Sequence, residues 1–328
     1  MAHSLQLLLL LALVVAAAKL AGAAAGRLGQ PSVFGEILAG LILGPTVIDL
    51  FGLGVFDAPL LESTRDLAEI GVLLLMFVAG LETDLVEMRR VGRAAFWAAF
   101  GGVMLPLAGG AAVAVAFGLP LYWQGIFIGT ILTATSVSIS AQTLLELGAL
   151  RSKEGSTILG AAVIDDVMGI VVLSIVVAFA KASAGGVDVA EIGIVGLRIT
   201  AYFAAALFAG RFIPPILRCA SSLGVSQALL AAALVIAFVY AWAAEYLGEV
   251  AAITGAYIAG VLIAQTPFKQ DIDRGIHPAT YSIFVPVFFI SIGLQANGRE
   301  LGPQALFTVV LVLVAIVAKT VGSGIAAR

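Results

Sequence analysis

Charge is what this sequence has least of: Asp, Glu, Lys and Arg make up 11% of it, against 61% hydrophobic residues. Soluble domains carry about 25% charged residues, so a water-soluble globule is excluded. Cysteine occurs once, as Cys219. That excludes an intrachain disulfide and a cysteine-rich metal site, and a lone thiol here is expected to pack as a small hydrophobe. The two histidines, His3 and His277, are far apart in sequence; a zinc or haem site is not expected, and no cofactor is implied. There is no basic stripe studded with aromatics, so nucleic acid is not an expected partner. Soluble domains, long linkers and low-complexity stretches are missing too, which leaves residues 1–328 as one polytopic unit.

What the chain has instead is uncharged runs, about eleven of them near the ~20 residues that a transmembrane helix needs. They lie near residues 5–25, 31–50, 66–82, 93–118, 123–147, 156–180, 190–210, 226–244, 247–265, 279–295 and 303–325. The expected fold class is an all-α polytopic membrane protein, surrounded by lipid. The first run ends in small residues, Ala21 to Gly26, as signal peptides do. It lacks a positive n-region and exceeds a typical signal core, so it is kept as the first span. Glycine and proline inside spans (Gly101, Gly102, Pro106, Gly109, Gly110, Pro286) suit kinks and close helix crossings.

Positive charges set the expected orientation. Segments after odd-numbered spans carry Arg27, Arg89, Arg90, Arg93, Arg151, Lys153, Arg211, Arg218, Lys269, Arg274 and Arg328. The opposite side has only Arg65, Lys181, Arg198 and Arg299. The N-terminus is therefore expected outside. Two lysines remain within spans: Lys19, close to an end, and Lys319.

Against this apolar background, Asp165 and Asp166 stand side by side in the run from Leu159 to Leu173. A carboxylate at mid-membrane costs about 2.5–3.5 kcal/mol on insertion scales, and two adjacent ones also repel. Such a pair is kept only where it faces water, a cation or a countercharge, and it marks an ion or proton path. Adjacent helical positions are rotated by about 100°, so one acid can line a hydrated cavity while the other turns toward a neighbouring helix. Lys319 supplies a countercharge deep in the last span, unless it snorkels to an interface. The preceding span has a hydroxyl-rich centre: Thr133, Thr135, Ser136, Ser138 and Ser140. Such side chains bond back to the backbone and loosen the helix. An unwound segment would offer carbonyl oxygens to a cation; the alternative is small residues for close packing. Glu36, Glu69 and Glu82 read mainly as helix-end groups, with Glu36 also placed for contact with an ion route. Glu245 and Glu249 fall in a turn on the side opposite the basic one.

The chain resembles a known family, the monovalent cation:proton antiporters of the second branch, which includes bacterial sodium/proton antiporters and potassium-efflux relatives. Six stretches carry the likeness, in order: Gly35 to Pro45 (GEILAGLILGP), Leu74 to Glu82 (LLMFVAGLE), Thr133 to Ser138 (TATSVS), Gly160 to Val167 (GAAVIDDV), Gly255 to Gly260 (GAYIAG) and Pro286 to Leu294 (PVFFISIGL). The resemblance implies a homodimeric carrier in a bacterial inner membrane. Its core domain contains crossed broken helices and moves against a dimerisation domain. It further implies that Asp166 is the main cation and proton carboxylate and that Asp165 pairs with Lys319. Thr133, Thr135, Ser136 and Ser138 would form the first broken helix and coordinate the cation. Both acids would then be transient ligands of the transported Na⁺. Family members continue for about two more spans, so the second inverted repeat looks incomplete and a C-terminal truncation is expected.

The function expected from these residues is secondary transport: H⁺ exchanged for Na⁺ or Li⁺ by alternating access, in an electrogenic cycle. Potassium/proton exchange or gated potassium efflux is the alternative. An enzyme is not expected. An intramembrane aspartyl protease needs carboxylates converging from two helices, and a serine-type one needs an intramembrane histidine. A non-transporting receptor would leave the acidic pair and Lys319 without purpose.

Overall fold

The structure is a computed structural model that describes residues 3–54, 56–57, 59–182 and 189–327. Among the described residues there is helix and turn but no strand. Arg328 and the side chain of Lys181, both of which bear on the expected orientation, lie outside what is described.

The helices are α1 (His3–Arg27), α2 (Ser32–Leu43), α3 (Pro59–Glu82), α4 (Leu85–Ala116), α5 (Ile126–Thr133), α6 (Val137–Glu146) and α7 (Lys153–Ala182). They continue with α8 (Val189–Gly210), α9 (Ile213–Ser222), α10 (Ala228–Gly248), α11 (Ala252–Ile263), α12 (Lys269–Ala279), α13 (Val285–Gln295) and α14 (Ala305–Ala326). Eight helical stretches among the described residues are long and apolar enough to cross a membrane, taking α5 with α6 and α12 with α13 as single stretches. The chain is an integral membrane protein.

Two expected spans are shorter than the sequence suggests. Helix α2 stops at Leu43 rather than running to residue 50. Pro45 follows Gly44 and cannot donate to a continuing helix, so the chain turns instead. Helix α11 covers 12 residues, about 18 Å of rise against a hydrocarbon core of about 30 Å. It is preceded by Glu249 in the left-handed region (φ 53°). Two helices have no counterpart among the expected spans. Helix α9 and helix α12 are amphipathic, and α12 runs through a wide π turn, Thr280–Phe284, into α13. Pro278 and Pro286 flank that turn and account for the change of helical pitch. The expectation that Cys219 packs in the interior is corrected: it is exposed, because α9 buries only the stripe formed by Ile213, Leu217 and Ala220.

Packing sorts the helices into two groups. Helix α3 lies against α11 and α13, α2 against α13 and α1, and α10 against α11. Helix α4 forms a second group with α14, α7 and α5. Helix α6 touches both, through α2 and α3 on one side and α7 on the other.

Helices α4 and α14 meet backbone to backbone. A Cβ on Gly101 would lie 2.2 Å from the Gly322 carbonyl oxygen, and one on Gly322 would lie 2.3 Å from that of Gly101. Such small-residue contacts let backbones meet in a lipid-facing bundle, where van der Waals packing rather than hydrophobicity drives association. Replacing Gly322 by Val should therefore force α14 away from α4 at an overpacking cost of about 1–3 kcal/mol. Gly324, with nothing within 4 Å of its would-be Cβ, serves as control. A lowered melting temperature in detergent for Gly322→Val but not Gly324→Ala is the expected result.

Candidate functional site

Helix α5 ends at Thr133, and the backbone of Ala134 (φ −60°, ψ 132°) and Ser136 (φ −77°, ψ 103°) is not helical. Helicity resumes at Val137. The hydroxyls explain why the interruption sits here. Ser136 caps α6 by accepting from the Ile139 N–H at 3.3 Å, and Ser140 Oγ donates to the Ser136 carbonyl at 3.0 Å. Thr133 Oγ1 donates to the Thr130 carbonyl at 2.8 Å. The break leaves backbone carbonyls without helical partners, and groups from other helices take them up.

Lys319 of α14 reaches that break. Its Nζ donates to the Thr133 carbonyl at 2.6 Å and to Asp165 Oδ2 at 3.0 Å. The ammonium does not snorkel away; its side chain is 26% exposed against 5% for Asp165. Gly102 of α4 makes room for Ser323, one turn beyond Lys319, since a Cβ there would lie 2.5 Å from Ser323 Oγ. Thr135, in the extended stretch, also donates its hydroxyl to Asp165 Oδ2. The other carboxylate oxygen, Oδ1, is buried without a hydrogen-bond partner among the described residues.

Asp166 points elsewhere, as the rotation between neighbouring helical positions requires. Thr254 Oγ1 of α11 donates to its Oδ2 at 3.4 Å. Thr254 is 1% exposed and does not stand out in the sequence. One hydroxyl at the start of an apolar run carries no periodic signal, and only the α3–α11 packing brings it here. Of the hydroxyl residues expected at the site, Thr135 meets Asp165 directly and Thr133 meets Lys319 through its carbonyl. The Ser136 side chain is engaged as a cap, and Ser138 is buried away from the pair. On the opposite side, Glu249 is held in an ion pair with Arg198 rather than lying free in a solvated turn. Glu69 pairs with Arg65 at 3.4 Å and Glu82 with Arg151 at 3.9 Å; neither reaches the acidic pair.

A cavity of about 490 Å³ lies between α4, α7 and α14, with Asp165, Lys319 and Thr135 in its wall. Exposed Lys153 and Glu154 at the start of α7 also line it, so it extends to the end of the bundle that bears them. Asp165, not Asp166, borders this cavity.

An interrupted helix, an acid–ammonium pair and a cavity within an apolar helical bundle are the equipment of a membrane ion carrier. The chain belongs to the family described as sodium/hydrogen exchanger, transmembrane, which it matches over residues 10–328. It is 42% identical to the "Probable Na(+)/H(+) antiporter GerT" of Bacillus cereus over 97% of this chain and 81% of that one. It is 39% identical to the "Na(+)/H(+)-K(+) antiporter GerN" of the same organism, over 97% and 79%. A Na⁺/H⁺ antiporter of Enterococcus hirae is 34% identical over 97% and 81%. The fold is similar to that of the sodium proton antiporter MjNhaP1 from Methanocaldococcus jannaschii at pH 8, with a TM-score of 0.67 and 16% identity over 98% of this chain and 78% of that chain.

Removing one partner from a buried ion pair costs about 3–5 kcal/mol, because the other charge is left uncompensated. Lys319→Met should accordingly lower the melting temperature sharply at alkaline pH. Adding Asp165→Asn to Lys319→Met should recover much of the loss. Thermal unfolding of the three proteins in detergent checks both expectations.

Proposed function

We propose that this protein exchanges H⁺ for Na⁺ or Li⁺ across a bacterial inner membrane, with its N-terminus outside. The observation that carries the reading is Asp165: one oxygen is held by Lys319 and Thr135, the other is buried without a partner among the described residues. A carboxylate so placed beside a cavity takes a cation or a proton and rejects both together. The named relatives support Na⁺ and H⁺ as the ions.

Cation and proton compete for the acidic pair. A cation entering along the Lys153–Asp165 cavity displaces the Lys319 ammonium from Asp165 and draws Asp166 from Thr254. Oxygens of Thr133 and Thr135 complete its shell, with Ser136 and Ser138 of the same broken segment available as the helix halves shift. Lys319 returns to Asp165 when the cation leaves. Alternating access follows from sliding the α4, α5, α7 and α14 group against the other helices, in a homodimer whose second group forms the contact. An electrogenic cycle draws about 2.3 kcal/mol per charge from each 100 mV of membrane potential. Potassium remains a second candidate ion because one relative is named for K⁺ as well as Na⁺.

Two outcomes test the reading on full-length protein in everted vesicles. Asp166→Asn should abolish sodium-dependent proton movement; undiminished movement rejects the assignment. In the unaltered protein the Na⁺ concentration for half-maximal exchange should rise in acid, by up to about tenfold per pH unit where one proton competes for the site. Substituting K⁺ for Na⁺ in the same assay separates the two ions.

A further inference from the structure

A second carboxylate is buried in this protein, remote from the Asp165–Asp166 pair. Glu36 of α2 is 4% exposed, and among the described residues no hydrogen bond or ion pair engages its side chain. Three elements pack against α2, and the charges they direct at Glu36 can be named. Helix α1 contributes Lys19, α6 contributes Glu146, and α13 has no titratable side chain. The Lys19 ammonium attracts Glu36 from beyond ion-pair distance and donates its hydrogen bond to the Tyr281 carbonyl at 2.8 Å.

Glu146, the last residue of α6, is held against α2 by an unusual arrangement. Pro31 precedes α2 and offers no side-chain cap. The Glu146 carboxylate substitutes for one, accepting from the Ser32 N–H at 2.7 Å and from the Ser32 hydroxyl. A carboxylate at a helix N-terminus is favoured by the exposed N–H groups and the helix dipole. Gln142 Nε2 donates to the same carboxylate at 2.8 Å, one turn earlier on α6.

A buried amide oxygen on α6 is also left without a donor. Gln142 is 6% exposed, and its Oε1 is buried with no donor among the described residues. Glu36 and Gln142 Oε1 are thus acceptors without a donor among the described residues, whereas exposed Glu146 already accepts three hydrogen bonds. Unsatisfied buried acceptors are costly, and a single proton is the smallest group that relieves them.

We propose that Glu36, with Glu146 and Gln142 as its neighbours, is a second proton-binding site, separate from Asp165 and Asp166. The proton comes from water at the end of the bundle that carries Arg27 and Arg151, and it returns there. Bound to Glu36, it removes the repulsion from Glu146 and adds the donor that the acceptors lack. Helix α2 is then held more firmly to α6. Because α6 begins at the broken segment that presents Thr133 and Thr135 to Lys319 and Asp165, proton occupancy here and ion occupancy there are linked reciprocally.

The test needs no transport, so it stands or falls separately from the proposed exchange activity. Infrared difference spectra between acid and alkaline buffer, taken on the full-length purified protein, report protonated carboxyl C=O stretches. The expected result is a band that disappears in Glu36→Gln and survives in the Asp165→Asn/Asp166→Asn double variant. Glu146→Gln, which still accepts from Ser32, should move the appearance of that band to lower pH, since a like charge has gone. It also keeps the test open if Glu36→Gln fails to fold. A spectrum unchanged by Glu36→Gln, a band lost with the two aspartates, or one unmoved by Glu146→Gln overturns the proposal.

Discussion

An ammonium and a carboxylate facing each other among apolar helices constrain most of what surrounds them. Asp165 is 5% exposed, and a lone charge at that depth is unfavourable by several kcal/mol. Lys319 offsets the cost only if α14 delivers it to the right height, and three features of the chain arrange this. Gly101 and Gly322 let α4 and α14 touch, Gly102 leaves space for Ser323 one turn beyond the lysine, and the break after Thr133 exposes a carbonyl that fixes the ammonium. The position of the pair is thus set jointly by small residues on two helices and by the interruption of a third.

The pair is not fully satisfied, and that separates a carrier site from a structural lock. Three donors from three helices would leave a carboxylate rigid and unreactive. Here two donors converge on one oxygen while the second has none among the described residues. The neighbouring Asp166 is held by a long contact to Thr254. Both acids therefore keep hydrogen-bonding capacity, which the proposed exchange would use, and the cavity borders Asp165. Helix α6 extends the influence of the site, since it begins two residues after Thr135, which holds Asp165, and its last residue caps α2.

Much of this is legible in the order of residues alone. The spans follow from apolar length, because bilayer thickness imposes a minimum that few soluble helices meet. The weakness of the fifth span follows from its hydroxyls, since side chains that bond to nearby backbone compete with the helix. The divergence of Asp165 from Asp166 follows from helical geometry. Other features are hidden for identifiable reasons. Helices α9 and α12 are amphipathic, so a hydropathy reading passes over them, and with them the exposure of Cys219. The Arg198–Glu249 and Glu146–Ser32 contacts join residues 51 and 114 positions apart, beyond any local pattern.

By itself the sequence determined that the chain lives in a membrane, that two acids and a lysine lie deep within its apolar spans, and that a helix beside them is weakened. Composition, length and spacing are local properties, and these conclusions need nothing else. Tertiary structure alone decided which acid meets Thr254 and which of two carboxylates faces the cavity. It also decided that Glu36 lies buried beside Glu146. The reason is physical: hydrogen bonds and ion pairs act over about 3 Å, and only the packed helices specify which side chains come that close.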